Sequence, residues 1–260
     1  MGADPEHAKP KRPTALITGA SAGIGAALAR EFVRAGHDVV LAARRRDRLE
    51  ALAAELGPGA RVVAADLNDP DAPARLHAEA GPVDVLVNNA GLGFAGRFDR
   101  VEAEKHANVL RVNVMALTAL TRLYLPEMVR RGSGRVLNVA SVAAFQPGPG
   151  MAVYSATKAY VLSLSESIHA ELAGTRVSVT CVCPGTTQSE FAEVAGLGSR
   201  RLSRSAMTSE AVAREAVAAT LAGRRLLVTG TGNRIGAVGV RFIPRGAVLA
   251  IAKRVMAGVI

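Results

Sequence analysis

Tryptophan is absent from this sequence of 260 residues, and aromatic residues make up only 3% of it. Proteins that hold single-stranded nucleic acid stack the bases on aromatic side chains. The shortage therefore argues against a nucleic-acid partner, although the chain carries a net charge of +10.

Cysteine is nearly absent as well. Cys181 and Cys183 are the only two, and they lie two residues apart in the apolar run VTCVCPG, where a strand would place them on one face. Two such cysteines, with five scattered histidines, build neither a disulfide framework nor a metal site. We therefore predict that the thiols pack in the core, that no metal is bound, and that the compartment is reducing and cytoplasmic.

The sequence also lacks an apolar run of the ~20 residues that a membrane-spanning helix needs. Its polar start, MGADPEHAKPKRP, predicts a loose tail over residues 1–12 rather than a signal peptide. From Ala216 to Ile260 there are seven Lys or Arg and no Asp or Glu. We interpret these cations as solvated surface, and contact with an anionic membrane surface is the alternative that we favour less.

What the sequence does contain is a regular alternation of short apolar runs and longer helical patterns. The apolar runs cover 14–19, 38–43, 61–66, 83–89, 134–141, 176–183 and 224–230, and helical patterns include 23–35, 46–56, 113–131 and 151–173. Continuous rather than alternating apolar strands are typical of parallel sheets covered on both faces. We predict an α/β fold with one doubly wound parallel sheet, in a single domain over residues 13–260.

A glycine-rich turn joins the first predicted strand to the first helix. In TALITGASAGIGAALAR, Gly19, Gly23 and Gly25 permit a tight turn, and the following helix start presents free N–H groups to a phosphate. This arrangement predicts a dinucleotide site. A second glycine-containing stretch, LLVTGTGNRIG at 226–236, is followed by no further βαβ unit, and we interpret it as a loop at the sheet edge.

The second predicted strand ends without the acidic residue that commonly holds the ribose hydroxyl of NAD. Arg44, Arg45 and Arg46 follow it instead. Guanidinium groups bind phosphate through paired hydrogen bonds. The sequence therefore favours NADP(H) over NAD(H), with Arg44 as the first candidate for the 2′-phosphate and Arg45 as the second.

Tyr154 and Lys158 stand four residues apart in AVYSATKAYVLSLSE, so a helix would place both on one face. A nearby cation lowers the pKa of a phenol, which would make Tyr154 a proton donor and acceptor near neutrality. A surface lysine beside a half-buried tyrosine is the structural alternative. The spacing alone does not decide between them.

Further motifs occur in a fixed order: TGASAGIG (18–25), NNAG (88–91), Asn113, Ser141, YSATK (154–158) and the dipeptide Pro184–Gly185. Over residues 13–230 this set resembles the classical short-chain dehydrogenase/reductase family. The resemblance implies that Tyr154 is the general acid/base and that Lys158 tunes it and holds the nicotinamide ribose. It also implies that Ser141 binds the substrate oxygen and that Asn113 fixes a water leading to Lys158.

The glycine loop, the arginines and the resemblance together give one set of cofactor-binding residues. They are Gly19, Ser21, Gly23, Ile24, Gly25, Arg44, Arg45, Asp66, Leu67, Asn89, Ala90, Gly91, Tyr154, Lys158, Pro184, Gly185, Thr187 and Ser189. Two positions depart from the family pattern. Ser189 stands where threonine is common, and Ala22 stands where NADP-preferring members often carry a basic residue.

The segment 187–208 matches the mobile substrate lid of the family, and Arg200, Arg201 and Arg204 within it are expected to face solvent. Phe145, Pro147 and Met151 are expected at the mouth of the site and favour an apolar ketone or aldehyde. A C-terminal helix over about 244–260 is expected to pack on a neighbouring subunit, in a homodimer or homotetramer, or over the substrate pocket. A non-catalytic NADP(H)-binding regulator is the alternative function.

Overall fold

Seven parallel strands form the central sheet of the computed structural model, which describes residues 12–197 and 206–257. The strands of this sheet are β1 (Thr14–Thr18), β2 (Asp38–Ala43), β3 (Ala60–Ala64), β4 (Val85–Asn88), β5 (Gly134–Val139), β6 (Val177–Cys183) and β9 (Leu226–Val228). Two short strands, β7 (Thr187–Gln188) and β8 (Met207–Thr208), pair with each other in a separate ribbon. Each of the seven apolar runs in the sequence coincides with one strand of the large sheet, as predicted, and only β3 begins before its run, by one residue.

The strand order is β3-β2-β1-β4-β5-β6-β9, so the direction in which strands are added reverses between β1 and β4. Connections that leave β1 and β4 therefore diverge to opposite sides, and a crevice opens at their carboxyl ends.

Ten α-helices are found in the described ranges, together with a π-helical turn and a 3₁₀ turn. Their bounds are α1 Gly23–Arg34, α2 Arg46–Leu56, α3 Ala72–Ala80, α4 Ala103–Leu110, π turn Arg111–Ala116, α5 Leu117–Arg131, 3₁₀ turn Val142–Phe145, α6 Ala152–Glu171, α7 Phe191–Val194, α8 Ser209–Leu221, α9 Thr231–Gly239 and α10 Arg245–Val255. Helices α1, α2 and α8 pack on one face of the sheet, whereas α3, α5 and α6 cover the other. The doubly wound fold is confirmed.

The prediction of a loop at the sheet edge over residues 226–236 is wrong. After β9 the chain turns at Gly230, whose φ is +79°, and continues as helix α9. Gly232 and Gly236 lie four residues apart within this helix although glycine disfavours one. A Cβ on either would meet no neighbouring atom within 4 Å, so close packing does not require glycine there. Glycine spacing alone did not distinguish a helix of low propensity from a loop.

The C-terminal helix begins and ends within the predicted range, and residues 258–260 lie outside the described part. Exposed apolar side chains are frequent on α9 and α10 and between them, including Ile235, Phe242 and Ile251. In the described ranges no helix is long and apolar enough to cross a bilayer. Most of the predicted tail, and Arg200, Arg201 and Arg204 of the predicted lid, also lie outside these ranges.

A buried chain of polar side chains joins the middle of the sheet to the helices above it. Asn88 and Asn138 are paired neighbours on β4 and β5, and the Asn88 amide donates to Asn138 Oδ1 at 2.9 Å and to Thr121 Oγ1 at 3.0 Å. The Asn138 amide donates in turn to Ser165 Oγ at 2.9 Å. Because buried polar groups lose water, each link depends on its partner.

We expect Asn138→Ala to lower the free energy of unfolding by roughly 2–4 kcal/mol, because it removes the buried hydrogen bonds of Asn138 with Asn88 and with Ser165. Asn108→Ala is the matched control, since that half-buried amide bonds only to Arg111. Denaturant titration of both variants measures the difference. Equal losses would contradict a special role for the buried chain.

Candidate active site

A cleft of about 530 Å³ opens at the carboxyl ends of the parallel strands. Every cofactor-binding residue predicted from the sequence lies in its wall, as do Ser141, Tyr154 and Lys158. Asn113 lies behind the wall and is buried. The cleft thus brings together residues from both halves of the sheet.

The backbone of the glycine loop is packed so closely that only glycine fits at its turns. No side chain therefore stands between this backbone and a bound phosphate. A Cβ atom on Gly25 would lie 2.1 Å from the carbonyl oxygen of Gly19, and Gly19 and Gly23 both have positive φ angles, +67° and +53°. Helix α1 then starts at Gly23 with no side-chain cap and no acidic residue in its first turn. Its first N–H groups are therefore suited to an anion.

Thr18 fixes this loop to the neighbouring one, a contact that sequence reasoning missed. The Thr18 hydroxyl donates to the carbonyl oxygen of Val87 at 3.1 Å and accepts from the N–H groups of Asn89 and Ala90 at 3.0 and 3.1 Å. Asn89 returns a bond from its amide to the Thr18 carbonyl at 2.9 Å. Asn88, the first residue of the NNAG motif, belongs to the buried polar chain rather than to the cleft.

Two arginines at the end of β2 reach the outer end of the cleft. Arg45 donates from Nε and Nη2 to Ser21 Oγ at 3.3 and 3.1 Å, whereas Arg44 is exposed. The guanidinium in contact with the glycine loop is thus Arg45, the second candidate of the sequence prediction. Two guanidinium groups and a hydroxyl fit a ribose phosphate, for which a carboxylate at this place would be unsuitable.

The far side of this end is formed by Asp66 and Leu67, which follow β3. The Asp66 carboxylate accepts from the N–H of Asn68 at 3.0 Å, and this bond orients it. The resemblance implies that an acidic residue at the position of Asp66 contacts the adenine of the cofactor, and Leu67 is its neighbour in the cleft wall.

Tyr154 and Lys158 project from one face of helix α6 into the cleft, as their spacing predicts. The Lys158 ammonium donates to the carbonyl oxygen of Val139, the last residue of β5, at 2.8 Å. It also lies 5.7 Å from the centroid of the Tyr154 ring. Lys158 is only 5% exposed, so its charge is held in the interior by few partners.

The expected lowering of the Tyr154 pKa is wrong for this structure. Burial raises the pKa of Tyr154 to about 12, and the hydrogen bond with Ser141 only partly opposes it. Burial likewise lowers the pKa of Lys158 to about 8. Loss of hydration disfavours the charged form of each group, and this outweighs the mutual effect that the sequence suggested.

Asn113 stands in the π-helical turn and clamps the loop that follows β4. Its Oδ1 accepts from the N–H of Leu92 at 2.8 Å, while its amide donates to the Leu92 carbonyl at 2.9 Å and to Thr157 Oγ1 at 3.0 Å. π-Helical turns inside helices are frequent at functional sites. The proposed water-fixing role of Asn113 stays a prediction.

Ser141 and the loop after β6 close the remaining sides. Ser141 caps the start of the 3₁₀ turn, where its hydroxyl oxygen accepts from the N–H of Ala143 at 3.1 Å. The Thr187 hydroxyl donates to the Gly185 carbonyl at 3.0 Å. A Cβ on Gly23 would approach Ser189 Cβ to 3.0 Å, so the two loops meet closely.

Beside Tyr154 the wall is apolar. The Phe191 ring lies 5.2 Å from the Tyr154 ring, and the other apolar residues here are Leu92, Met151, Val194 and Leu197. Met151 was predicted at this mouth, whereas Phe145 and Pro147 are not among the lining residues, and Phe145 packs on a core cluster instead. Phe191, Val194 and Leu197 recur every third residue, a signal that could have identified them.

As far as the structure describes it, the C-terminal helix does not cover the cleft, which was one of the two positions expected for it. In the described ranges, none of the residues that line the cleft comes from α9 or α10. Asn233 of α9 reaches only the back of the loop after β6, where a Cβ on Gly185 would meet its amide at 2.1 Å.

Known proteins share both the sequence pattern and the fold. A family model described as short chain dehydrogenase matches residues 13–197. An NADP-dependent 3-hydroxy acid dehydrogenase of Salmonella typhi is 39% identical over 185 residues, which cover 69% of this chain and 75% of the relative. Nodulation protein G of a Rhizobium species is 37% identical over 213 residues, or 76% and 87% of the two chains.

Among solved structures, a short-chain dehydrogenase from Sphingobium yanoikuyae in complex with NADPH superimposes with a TM-score of 0.80 and 35% identity. The match covers 88% of this chain and 94% of that one.

We expect Gly25→Ala to lower the free energy of unfolding by roughly 2–3 kcal/mol, because its Cβ would clash with the Gly19 backbone. Gly232→Ala in α9 meets open space and should instead stabilise the protein, by roughly 0.5–1 kcal/mol. Denaturant unfolding of the two variants measures both. A mild effect of Gly25→Ala would show that the loop has room to relax.

Lys158 should make stability depend on pH. Its folded pKa of about 8 lies below the ordinary value of 10.5. The unfolded chain therefore binds more protons between these values, and the free energy of unfolding rises with pH there, in total by roughly 3 kcal/mol. In Lys158→Met this rise should be lost, whereas Lys105→Met, which alters a surface lysine paired with Glu102, should keep it. Parallel profiles for wild type and Lys158→Met would contradict the lowered pKa.

Proposed function

Because the chain belongs to the short-chain dehydrogenase family, we propose that it is an NADP(H)-dependent oxidoreductase that interconverts a ketone or aldehyde and the corresponding alcohol. The observation that carries the proposal is the convergence of Ser141, Tyr154 and Lys158 in a cleft whose other end presents Arg45. The NADPH complex of the Sphingobium yanoikuyae dehydrogenase and the NADP dependence of the Salmonella typhi relative support this cofactor.

The cleft offers a partner for each part of a dinucleotide. The start of α1 and the glycine loop would take the pyrophosphate, Ser21 with Arg45 and Arg44 the 2′-phosphate, and Asp66 with Leu67 the adenine. The loop from Asn89 to Gly91 and the loop from Pro184 to Ser189 would line the nicotinamide half. When bound, the nicotinamide ring supplies or accepts the hydride.

Ser141 and Tyr154 would act on the reacting oxygen. During reduction negative charge develops on the carbonyl oxygen, and two hydroxyl donors aimed at it stabilise the transition state. The phenol, with its pKa of about 12, stays protonated at neutral pH and can therefore donate.

Lys158 would return the proton that Tyr154 gives away. Its ammonium has a pKa of about 8, well below the pKa of about 12 of the phenol. Once the phenol has passed its proton to the substrate, the equilibrium therefore favours a proton moving from the lysine side to the phenolate. Asn113, behind the wall, would hold a water that refills Lys158.

The substrate that fits the wall beside Tyr154 is apolar. Phe191 packs on the Tyr154 ring, and Leu92, Met151 and Leu197 add further apolar atoms to the lining of the cleft. Such a lining favours the burial of a hydrocarbon group and excludes water from the reaction.

We also propose that residues 13–260 form one catalytic domain, and that it works as a homodimer or homotetramer. Exposed Leu110, Met115 and Leu123 on the surface formed by α4, the π turn and α5 support self-association. We propose a reducing, cytoplasmic location as well, in which two buried cysteines such as Cys181 and Cys183 serve only to pack the core.

A non-catalytic NADP(H) sensor is the alternative, and we do not favour it. Binding of a dinucleotide would not require a buried phenol and ammonium beside an apolar wall, because both groups are costly to bury.

We expect Tyr154→Phe to lower kcat/KM by roughly 10²–10⁴-fold while NADPH still binds, because only the proton donor is removed. Tyr160→Phe, on the same helix with its hydroxyl 2.9 Å from Thr118 Oγ1, is the matched control and should leave turnover unchanged. The assay follows NADPH and NADH consumption with a panel of apolar ketones, aldehydes and diketones, and NADPH fluorescence measures binding.

Two results would count against the proposal. Turnover retained in Tyr154→Phe would remove Tyr154 from the chemistry. Tight NADPH binding with no turnover of any carbonyl or alcohol would favour the sensor.

A further inference from the structure

Two arginines at the start of α2, Arg45 and Arg48, are bound to an acidic residue from the other side of the cleft, and Arg48 lines a pocket together with Ser21. Glu190 Oε2 accepts from Arg45 Nη1 at 2.9 Å, and Glu190 Oε1 accepts from Arg48 Nη1 at 2.5 Å. The partners are 145 and 142 residues apart in the chain. One carboxylate thus joins the start of α2 to the segment that follows β7.

This carboxylate uses a guanidinium that a ribose phosphate would need. Arg45 is the arginine that bonds to Ser21 in the glycine loop. Its Nη1 atom points to Glu190, while its Nε and Nη2 atoms point to Ser21. A 2′-phosphate beside Ser21 would therefore meet a guanidinium whose Nη1 atom is already bonded to Glu190.

Glu190 also stands next to the reacting end of the cleft. It immediately precedes α7, whose first residue, Phe191, packs against the Tyr154 ring. The carboxylate bonds and the aromatic contact are separated by a single peptide bond. Glu190 is thus the immediate neighbour of the side chain that packs on Tyr154.

We propose that Glu190 competes with the 2′-phosphate of NADP(H) for Arg45 and Arg48, so that binding of this phosphate, and not of NAD(H), releases the segment that carries Phe191. The proposal rests on the proposed cofactor. A phosphate monoester carries a charge of about −1.5 to −2 and offers three acceptor oxygens. It is therefore a stronger partner for two guanidinium groups than one carboxylate is.

The two anions cannot share the arginines at low cost. Arg48 and Arg45 hold the pKa of Glu190 below its usual range, so its carboxylate is ionised at neutral pH. A phosphate bound to the same arginines is repelled by this carboxylate unless the carboxylate moves away. Both arginines and Glu190 are more than 40% exposed, so the exchange requires no opening of the core.

The test uses fragments that contain the phosphate but no nicotinamide. Calorimetry would measure the binding of adenosine 2′,5′-bisphosphate and of adenosine 5′-monophosphate to wild type, Glu190→Gln and Glu193→Gln. Glu193 is the matched control because it is an exposed acid three residues further along. We expect Glu190→Gln to bind the bisphosphate roughly three- to tenfold more tightly, as the loss of surface ion pairs allows. Its affinity for the monophosphate, and both affinities of Glu193→Gln, should stay near the wild-type values.

Amide hydrogen exchange over residues 191–197 gives a second measurement. In wild type the bisphosphate should speed exchange in this segment and the monophosphate should not. In Glu190→Gln exchange should already be fast without a ligand.

Unchanged or weaker bisphosphate binding by Glu190→Gln would overturn the inference, the weaker case showing that Glu190 orients the arginines for the phosphate. Exchange that does not respond to the bisphosphate would overturn the release of the segment. NADPH binding by wild type is measured first. If NADPH binds and these responses are missing, only the inference fails, whereas a wild type that binds neither NADPH nor the bisphosphate defeats the proposed cofactor as well.

Discussion

The common direction of the strands in the large sheet determines where chemistry can take place in this protein. Because all seven run in parallel, their carboxyl ends lie along one edge, and the reversal between β1 and β4 opens that edge into a crevice. Val139 at the end of β5 receives Lys158, and Thr18 at the end of β1 holds the loop after β4. The site depends on these strand ends more than on any single loop.

Burial has opposite effects on the two ionisable groups of helix α6. It keeps the Tyr154 proton in place and makes the Lys158 proton easier to remove. Tyr154 is therefore suited to donate a proton and Lys158 to replace it, although the charged form of each group would be more stable in water. A protein can keep such groups only where the surrounding fold is stable enough to hold them.

Much of this architecture could be predicted from local patterns in the sequence. Continuous apolar runs located the strands, the glycines located the turn before α1, and the spacing of Tyr154 and Lys158 located one helical face. What they did not contain depends on contacts between distant segments. The direction of the Tyr154 pKa shift follows from burial, the partner of Arg45 is 145 residues away, and the side on which Phe145 lies is set by its packing. Helix α9 was missed for a local reason, since Gly232 and Gly236 suit a loop equally well.

The buried amides of Asn88 and Asn138 have a further consequence for how the sheet assembles. Strand β4 is four residues long and buried throughout, so an alternation of apolar and polar residues does not define how far it should slide along β5. A shift by two residues would keep every apolar side chain buried but would separate the two amides. Each would then lie in the core without its partner, at a cost of roughly 1–3 kcal/mol. The two asparagines therefore favour a single register of β4 against β5. This register also fixes the position of the loop that begins at Asn89.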